Sequence, residues 1–192
     1  MTVLVVSVAA SADDGYGSAA ASFDAAGTYW KVGREDISGQ KSHYPFCRFL
    51  NVTIPQGSII SSAYLEVVAN ANSAYTAVKT KVAANDADSP AAPTTWAQVT
   101  GLTLTTAQID WDFAAVTAGV AYTSPDIGTV IKEIVDRAGW ASGNNLILTI
   151  FDDSSTSDNR HQIASYDHLT YAAPQLTVTY VYGGNVIIWT SD

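Results

Sequence analysis

Residues 48–64, RFLNVTIPQGSIISSAY, read as a strand, a tight turn and a second strand. Arg48, Phe49, Val52 and Ile54 lead into Pro55-Gln56-Gly57, and Ile59, Ile60, Ala63 and Leu65 lead out. Proline presets φ for the turn, and glycine supplies the positive φ that the turn needs. Beyond it Ala63, Leu65, Val67 and Ala69 alternate with Tyr64, Glu66 and Val68, the period of two of a strand with one buried face. The segment is expected to form a β-hairpin, with strands over 43–54 and 58–69. Such a hairpin announces an all-β sandwich, and no catalytic device accompanies it.

Working outward, further strands are expected over 2–9, 28–34, 74–84, 145–151, 160–166 and 175–182, with a short edge strand over 98–105. Within 108–114, Ile109, Trp111 and Phe113 alternate with Asp110 and Asp112, a half-buried strand. Residues 10–27 are small, polar and glycine-rich, the composition of a loop. One helix is expected over 125–138. Ser124 suits the N-cap, Pro125 the first helical position and Asp126 the positive end of the dipole. Ile127, Val130, Ile131, Ile134 and Ala138 form one apolar stripe, and Gly139 stops the helix. About ten strands and one connecting helix make a jelly-roll sandwich over 1–182, followed by a β-prone tail over 183–192.

Composition narrows the function. Of 192 residues, 47% are hydrophobic, ample for a core, and only 14% are charged, against about 25% in a typical soluble domain. The formal net charge of −9, from 18 acidic and 9 basic residues, leaves no basic stripe for nucleic acid or an anionic membrane. Cys47 is the one cysteine, so no intrachain disulfide forms. No Lys or Arg precedes Lys31, so the first residues read as a strand and not as a secretory signal. His43, His161 and His168 lack zinc-site spacing, and nothing marks a nucleophile.

Several phrases occur together and in order: FCRFLNVTIPQGSIISSAYLEV, YTSPDIGTVIKEIVDRAGWASGNNLILTI, RHQIASYD and APQLTVTYVY. They resemble the DNRLRE-type family of jelly-roll domains, which are similar to carbohydrate-binding modules, over roughly residues 11–182. The resemblance implies a non-catalytic domain of bacterial extracellular proteins or of tailed-phage structural proteins. This chain departs from the pattern in standing alone and in carrying the tail Gly183–Asp192. Those departures suit a virion component, either a capsid decoration protein or a tail protein. The expected location is then the virion surface, and the expected partners are other virion proteins, copies of itself and a glycan.

Candidate contact residues follow. Trp96, Tyr122 and Tyr171 fall in expected loops and are free to stack on a sugar or a partner, whereas Trp111 and Trp140 read as core. Similar jelly rolls often hold a structural Ca²⁺, which takes carboxylate and carbonyl oxygens. Asp13, Asp14 and Asp167 are the ligand set this implies, and no other cofactor is expected. Arg48 and Arg160 lie in apolar strands and need carboxylate partners. The family-like phrase RHQIASYD points Arg160 at Asp167. Val186, Ile187, Ile188 and Trp189 make the tail apolar. It either folds back as a last strand or adds to a neighbouring subunit by strand addition.

Overall fold

In the computed structural model, which describes residues 1–18, 22–36 and 41–183, the strands flanking Pro55-Gln56-Gly57 do not pair with each other. The first, β5 (Lys41–Val52), belongs to the larger sheet; the second, β6 (Ile59–Val68), belongs to the smaller one. The turn itself is as expected. Gly57 takes φ of 71°, and the Ser58 N–H donates to the Pro55 carbonyl at 3.2 Å. The expected hairpin is instead an arch that carries the chain across the sandwich. Both flanking strands still turn their apolar faces to the same core, so their alternation is identical in the two arrangements.

The remaining strands are β1 (Thr2–Ser7), β2 (Asp14–Ser18), β3 (Ser22–Asp24), β4 (Tyr29–Glu35), β7 (Thr80–Ala84), β8 (Ile109–Asp110), β9 (Ala121–Thr123), β10 (Asn144–Asp152), β11 (Arg160–Ala164) and β12 (Gln175–Val181). The smaller sheet has the order β1-β12-β6-β9. The larger runs β11-β4-β5-β10-β7-β8, with β2 and β3 appended beside β5. Each of these pairings is antiparallel. The result is a jelly-roll-like β-sandwich whose core lies between the sheets. Leu65, Val67, Leu176 and Val178 come from one side, and Trp30, Phe49, Leu148 and Ile150 from the other, all buried. Trp140 closes the core, its indole N–H donating to the Ile54 carbonyl at 2.9 Å.

Two helices cover the sandwich, α1 (Trp96–Thr100) and α2 (Gly128–Val135). Helix α2 is shorter than the expected 125–138, for a visible reason. Residues 121–127 run along β6 first: the Ser124 N–H donates to Leu65 O and the Ile127 N–H to Ala63 O. The Ser124 hydroxyl accepts from the Leu65 N–H, and Asp126 Oδ1 accepts from the Ala63 N–H at 2.9 Å. These side chains fasten the segment to a sheet edge, so strand pairing delays the helix. Ile127, Val130, Ile131 and Ile134 are buried as expected; Ala138, past the helix end, is exposed.

Other expectations are corrected. Residues 10–27 contain a 3₁₀ turn at Ser11–Asp13 and part of the larger sheet, β2 and β3. Of the expected edge strand over 98–105, residues 103–105 do pair beside β7, where Leu104 bridges Asn85, but residues 98–100 belong to α1. Thr95 caps it by accepting from the Gln98 N–H, and Gln98 Oε1 reaches back to Thr94 N at 2.7 Å. That is a variant of the capping box, legible in Thr95-x-x-Gln98. Over 108–114, Trp111 and Phe113 are buried, but regular pairing stops at Asp110. No helix among the described residues is long and apolar enough to cross a membrane.

Candidate functional site

The outer face of the smaller sheet is the first candidate. The register aligns Val3 with Thr179 and Ser62, Val5 with Thr177 and Tyr64, and Val181 with Ile59. Val3 is 59% exposed, Val5 54% and Ile59 63%. Leu4 and Val6, pointing the other way, pack on the core. Those three rows hold no charged residue; Glu66, opposite Gln175, enters only in a neighbouring row. Isolated exposed apolar residues are ordinary, but a contiguous exposed apolar patch marks an interaction surface. Among the described residues β1 ends this sheet, so the patch adjoins its edge.

A second candidate is a cleft of about 130 Å³ beside β11, lined by Ala71, Asn72, Ser73, Tyr75, Arg160 and Gln162. Tyr75 is 39% exposed. Gln162 Oε1 accepts from Asn70 Nδ2 at 2.9 Å, and Asn72 Oδ1 accepts from the Ala118 N–H at 2.9 Å. Both amide oxygens are committed, which leaves their NH₂ groups as donors. Arg160 does not pair with Asp167, as the phrase RHQIASYD implied. Its Nη2 lies 2.9 Å from Glu35 Oε1, and its Nη1 lies 3.7 Å from Asp158. Strand pairing sets the partner, since Arg160 stands opposite Gly33, two residues before Glu35.

Glu35 is a hub. Lys31 Nζ lies 3.0 Å from Oε2 and His43 Nε2 lies 3.5 Å from the same oxygen. Burial pushes the Glu35 carboxyl up, but Lys31, Arg160 and His43 outweigh it and hold it below its ordinary value. His43 moves the other way. Burial, aided by Lys31, lowers it to about 4 although Glu35 and Asp152 oppose that shift. At 3.5 Å the His43–Glu35 approach forms no hydrogen bond, so desolvation wins.

The expected contact aromatics are each half-buried against a neighbouring segment. Trp96 is half-buried at the start of α1, packed so close to Gly17 that a Cβ there would lie 3.0 Å from Trp96 Cδ1. Tyr122 is in β9, and its hydroxyl accepts from the Thr117 N–H at 2.9 Å. Tyr171 stacks on His168 with centroids 4.4 Å apart and covers Gly119. Tyr122 and Tyr171 thus brace the 117–122 turn, while Trp96 covers β2. Trp30, Trp111 and Trp140 are buried. Val186, Ile187, Ile188 and Trp189 lie outside the described residues.

The three aspartates separate into two environments. Asp13 Oδ1 accepts from Arg48 Nη1 at 2.7 Å, the partner that Arg48 needed. Asp14 is fully buried, and its Oδ2 accepts from the Tyr166 N–H at 2.9 Å. Burial pushes the Asp14 carboxyl up to about 7, and the nearby charges of Asp167 and Asp13 add to the rise. Asp14 Oδ1 and Asp167 Oδ2 are buried without hydrogen-bond partners. The Trp30 indole N–H is close to Asp14 but completes no hydrogen bond. Among the described residues, no group of three or more His, Cys, Asp or Glu side chains is arranged to hold a metal ion. Asp13, Asp14 and Asp167 therefore do not make a three-carboxylate centre.

Elsewhere the acidic residues serve structure. Arg137 bonds both Asp86 and Asp88, pinning the exit of α2 to the 85–90 loop. The comparisons add no relative: no family model matches the chain, and no curated protein matches it.

Proposed function

We propose that this chain is a non-catalytic structural protein of a phage virion, a capsid decoration or tail component that works through protein contacts at the virion surface. The observation that carries the reading is the uncharged, largely β-branched face of the smaller sheet, with Val3, Val5 and Ile59 exposed on it. Its Val, Ile and Thr side chains, with Tyr64 exposed among them, make a contiguous apolar surface of the kind that another protein covers. The resemblance to DNRLRE-type jelly rolls supports the same class. Cryo-electron microscopy of the native assembly tests it. The chain is expected in a symmetric array with Val3, Val5 and Ile59 inside an interface. A chain absent from particles, or presenting that face to solvent, overturns the reading.

The cleft at Tyr75 favours a second reading, a carbohydrate-binding module. Its ring offers a stacking plane, and its free hydrogen-bonding groups are mostly donors, matched to sugar hydroxyl or carboxylate oxygens. A glycan array followed by titration tests it. Tyr75→Ala is expected to weaken binding roughly fivefold to tenfold, about 1 kcal/mol. Binding unaffected by Tyr75→Ala removes the cleft from consideration.

We further propose Asp14 and Asp167 as the carboxylates that a structural Ca²⁺ would use. Asp14 Oδ1 and Asp167 Oδ2 are unpartnered buried oxygens, the donor type a hard cation takes. Asp13 is committed to Arg48 and does not join them. The ion would supply positive charge to two crowded carboxylates and thereby tie the 3₁₀ turn to the 165–171 loop.

A further inference from the structure

His43 is a third basic group beside a carboxylate that already holds two. It is 2% exposed, and neither ring nitrogen has a hydrogen-bond partner among the described residues. Four strands face it. Tyr16 of β2 meets its ring edge-on at 5.6 Å, β4 brings Lys31 and Glu35, β10 brings Asp152 and β11 brings Arg160. His43 Nε2 lies 3.5 Å from Glu35 Oε2. That oxygen holds Lys31 at 3.0 Å, and Oε1 holds Arg160 at 2.9 Å. Two cations and one anion leave the cluster positive before His43 takes a proton.

A proton on His43 adds to that excess. A buried imidazolium needs a carboxylate, and a shift of roughly 0.7 Å brings Nε2 and Glu35 Oε2 to the distance of a charge-assisted hydrogen bond. Burial pushes the Glu35 carboxyl up, but Lys31 and Arg160 hold it below its ordinary value, so it keeps its charge further into acid. One resident cation must then give way. Among the described ion pairs Lys31 meets Glu35 alone. Arg160 has a second carboxylate within reach. Asp158 Oδ1 lies 3.7 Å from Nη1, and it is held there by accepting from the Asp36 N–H at 2.9 Å. The Arg160 side chain is also the more exposed of the two.

We infer that acid moves Arg160 from Glu35 to Asp158, because a charged His43 takes the Glu35 carboxylate for itself. The exchange unties β11 from the end of β4 and draws the guanidinium towards the loop that precedes its own strand. Arg160 is the one charged residue lining the cleft beside Tyr75, so the cleft changes with it. Joined to the second reading above, on which this consequence rests, the exchange makes glycan binding there sensitive to acid.

Nuclear magnetic resonance on the ¹⁵N-labelled full chain tests this, following the His43 ring and the Arg160 Nε–H as pH falls through about 4. Both signals are expected to shift with one midpoint, because one proton moves both side chains. In His43→Gln the Arg160 shift is expected to be lost. Asp158→Asn keeps the acceptor for Asp36 and suits the φ of 58° at that position. There His43 is expected to titrate while the Arg160 shift shrinks. A His43 that charges while Arg160 stays on Glu35 overturns the inference. So does an Arg160 shift that persists in His43→Gln or is unchanged in Asp158→Asn. Collapse of the native spectrum before His43 charges overturns it too. Glycan binding indifferent to Tyr75→Ala sinks the second reading alone, since the exchange at Arg160 is measured without any ligand.

Discussion

Arg160 Nη2 lies 2.9 Å from Glu35 Oε1, joining β11 to the end of β4 inside a cluster that also holds Lys31 and His43. One carboxylate thereby offsets two cations beside a neutral imidazole. Glu35 is almost buried, whereas the guanidinium of Arg160 is partly open to water. Solvent therefore screens part of the attraction, and the cluster matters most for what its removal leaves behind.

Glu35→Gln tests that. The substitution leaves two cations and a histidine facing each other without their shared counter-charge. The expected loss is about 2–3 kcal/mol, at or below the low end of the range for breaking a buried pair because Arg160 is part-exposed. Urea denaturation checks it. An unchanged midpoint would mean that water already does the work of the carboxylate.

Acidification reports on the same cluster through His43. Burial lowers its folded pKa to about 4 from an ordinary 6.5. The unfolded chain therefore binds the proton first as pH falls. The stability linked to His43 is fully present above pH 6.5 and is lost progressively between 6.5 and 4. Its full size is on the order of 3 kcal/mol. His43→Gln is expected to flatten this part of the stability–pH curve, measured by denaturant unfolding at each pH. A curve of the same slope in the variant would assign the effect elsewhere.

Two glycines separate backbone strain from crowding. At Gly57, φ is 71° and an added Cβ meets nothing within 4 Å. Gly57→Ala is therefore expected to cost only the left-handed backbone, about 1 kcal/mol. At Gly33, φ is 85° and the Cβ would fall 2.5 Å from Asn159 O and 2.9 Å from Val78 Cγ1. Asn159 O is held by the Arg34 N–H at 2.9 Å and has no room to retreat. Gly33→Ala is expected to cost at least about 3 kcal/mol. Thermal unfolding of both variants checks the order; equal losses would refute the crowding argument.

Calcium binding at Asp14 and Asp167 is expected to raise the melting temperature by a few degrees in millimolar CaCl₂ relative to EDTA, since a ligand bound only by the folded state stabilises it. Asp14→Asn and Asp167→Asn are each expected to abolish the response, and Asp13→Asn to destabilise the protein without abolishing it. An identical melting temperature in CaCl₂ and EDTA removes calcium from the account.

The alternation of Ala63, Leu65 and Val67 with Tyr64 and Glu66 placed those side chains correctly inside and outside, and the turn at Pro55-Gln56-Gly57 formed as its residues demand. Local chemistry also held in α1, where Thr95 and Gln98 carried a capping signal outside the expected helix. Trp96 and Tyr122 fall in α1 and β9 and not in loops, and with Tyr171 they are half-buried, because a loop-like sequence does not reveal what packs beneath it. Gly17 and Gly119 provide floors against which two of those rings lie, and Thr117 binds the hydroxyl of the third.

The inward and outward faces of β6 and the local form of the Pro55-Gln56-Gly57 turn are short-range properties. They follow from side-chain period and backbone sterics, and the sequence alone determined them. Which strand lies beside which is a long-range property, and alternation is blind to it. An arch and a hairpin bury the same residues. Only the tertiary structure decided that β5 and β6 sit in opposite sheets, that Arg160 meets Glu35 and not Asp167, and that β1 lies at the end of the smaller sheet among the described residues.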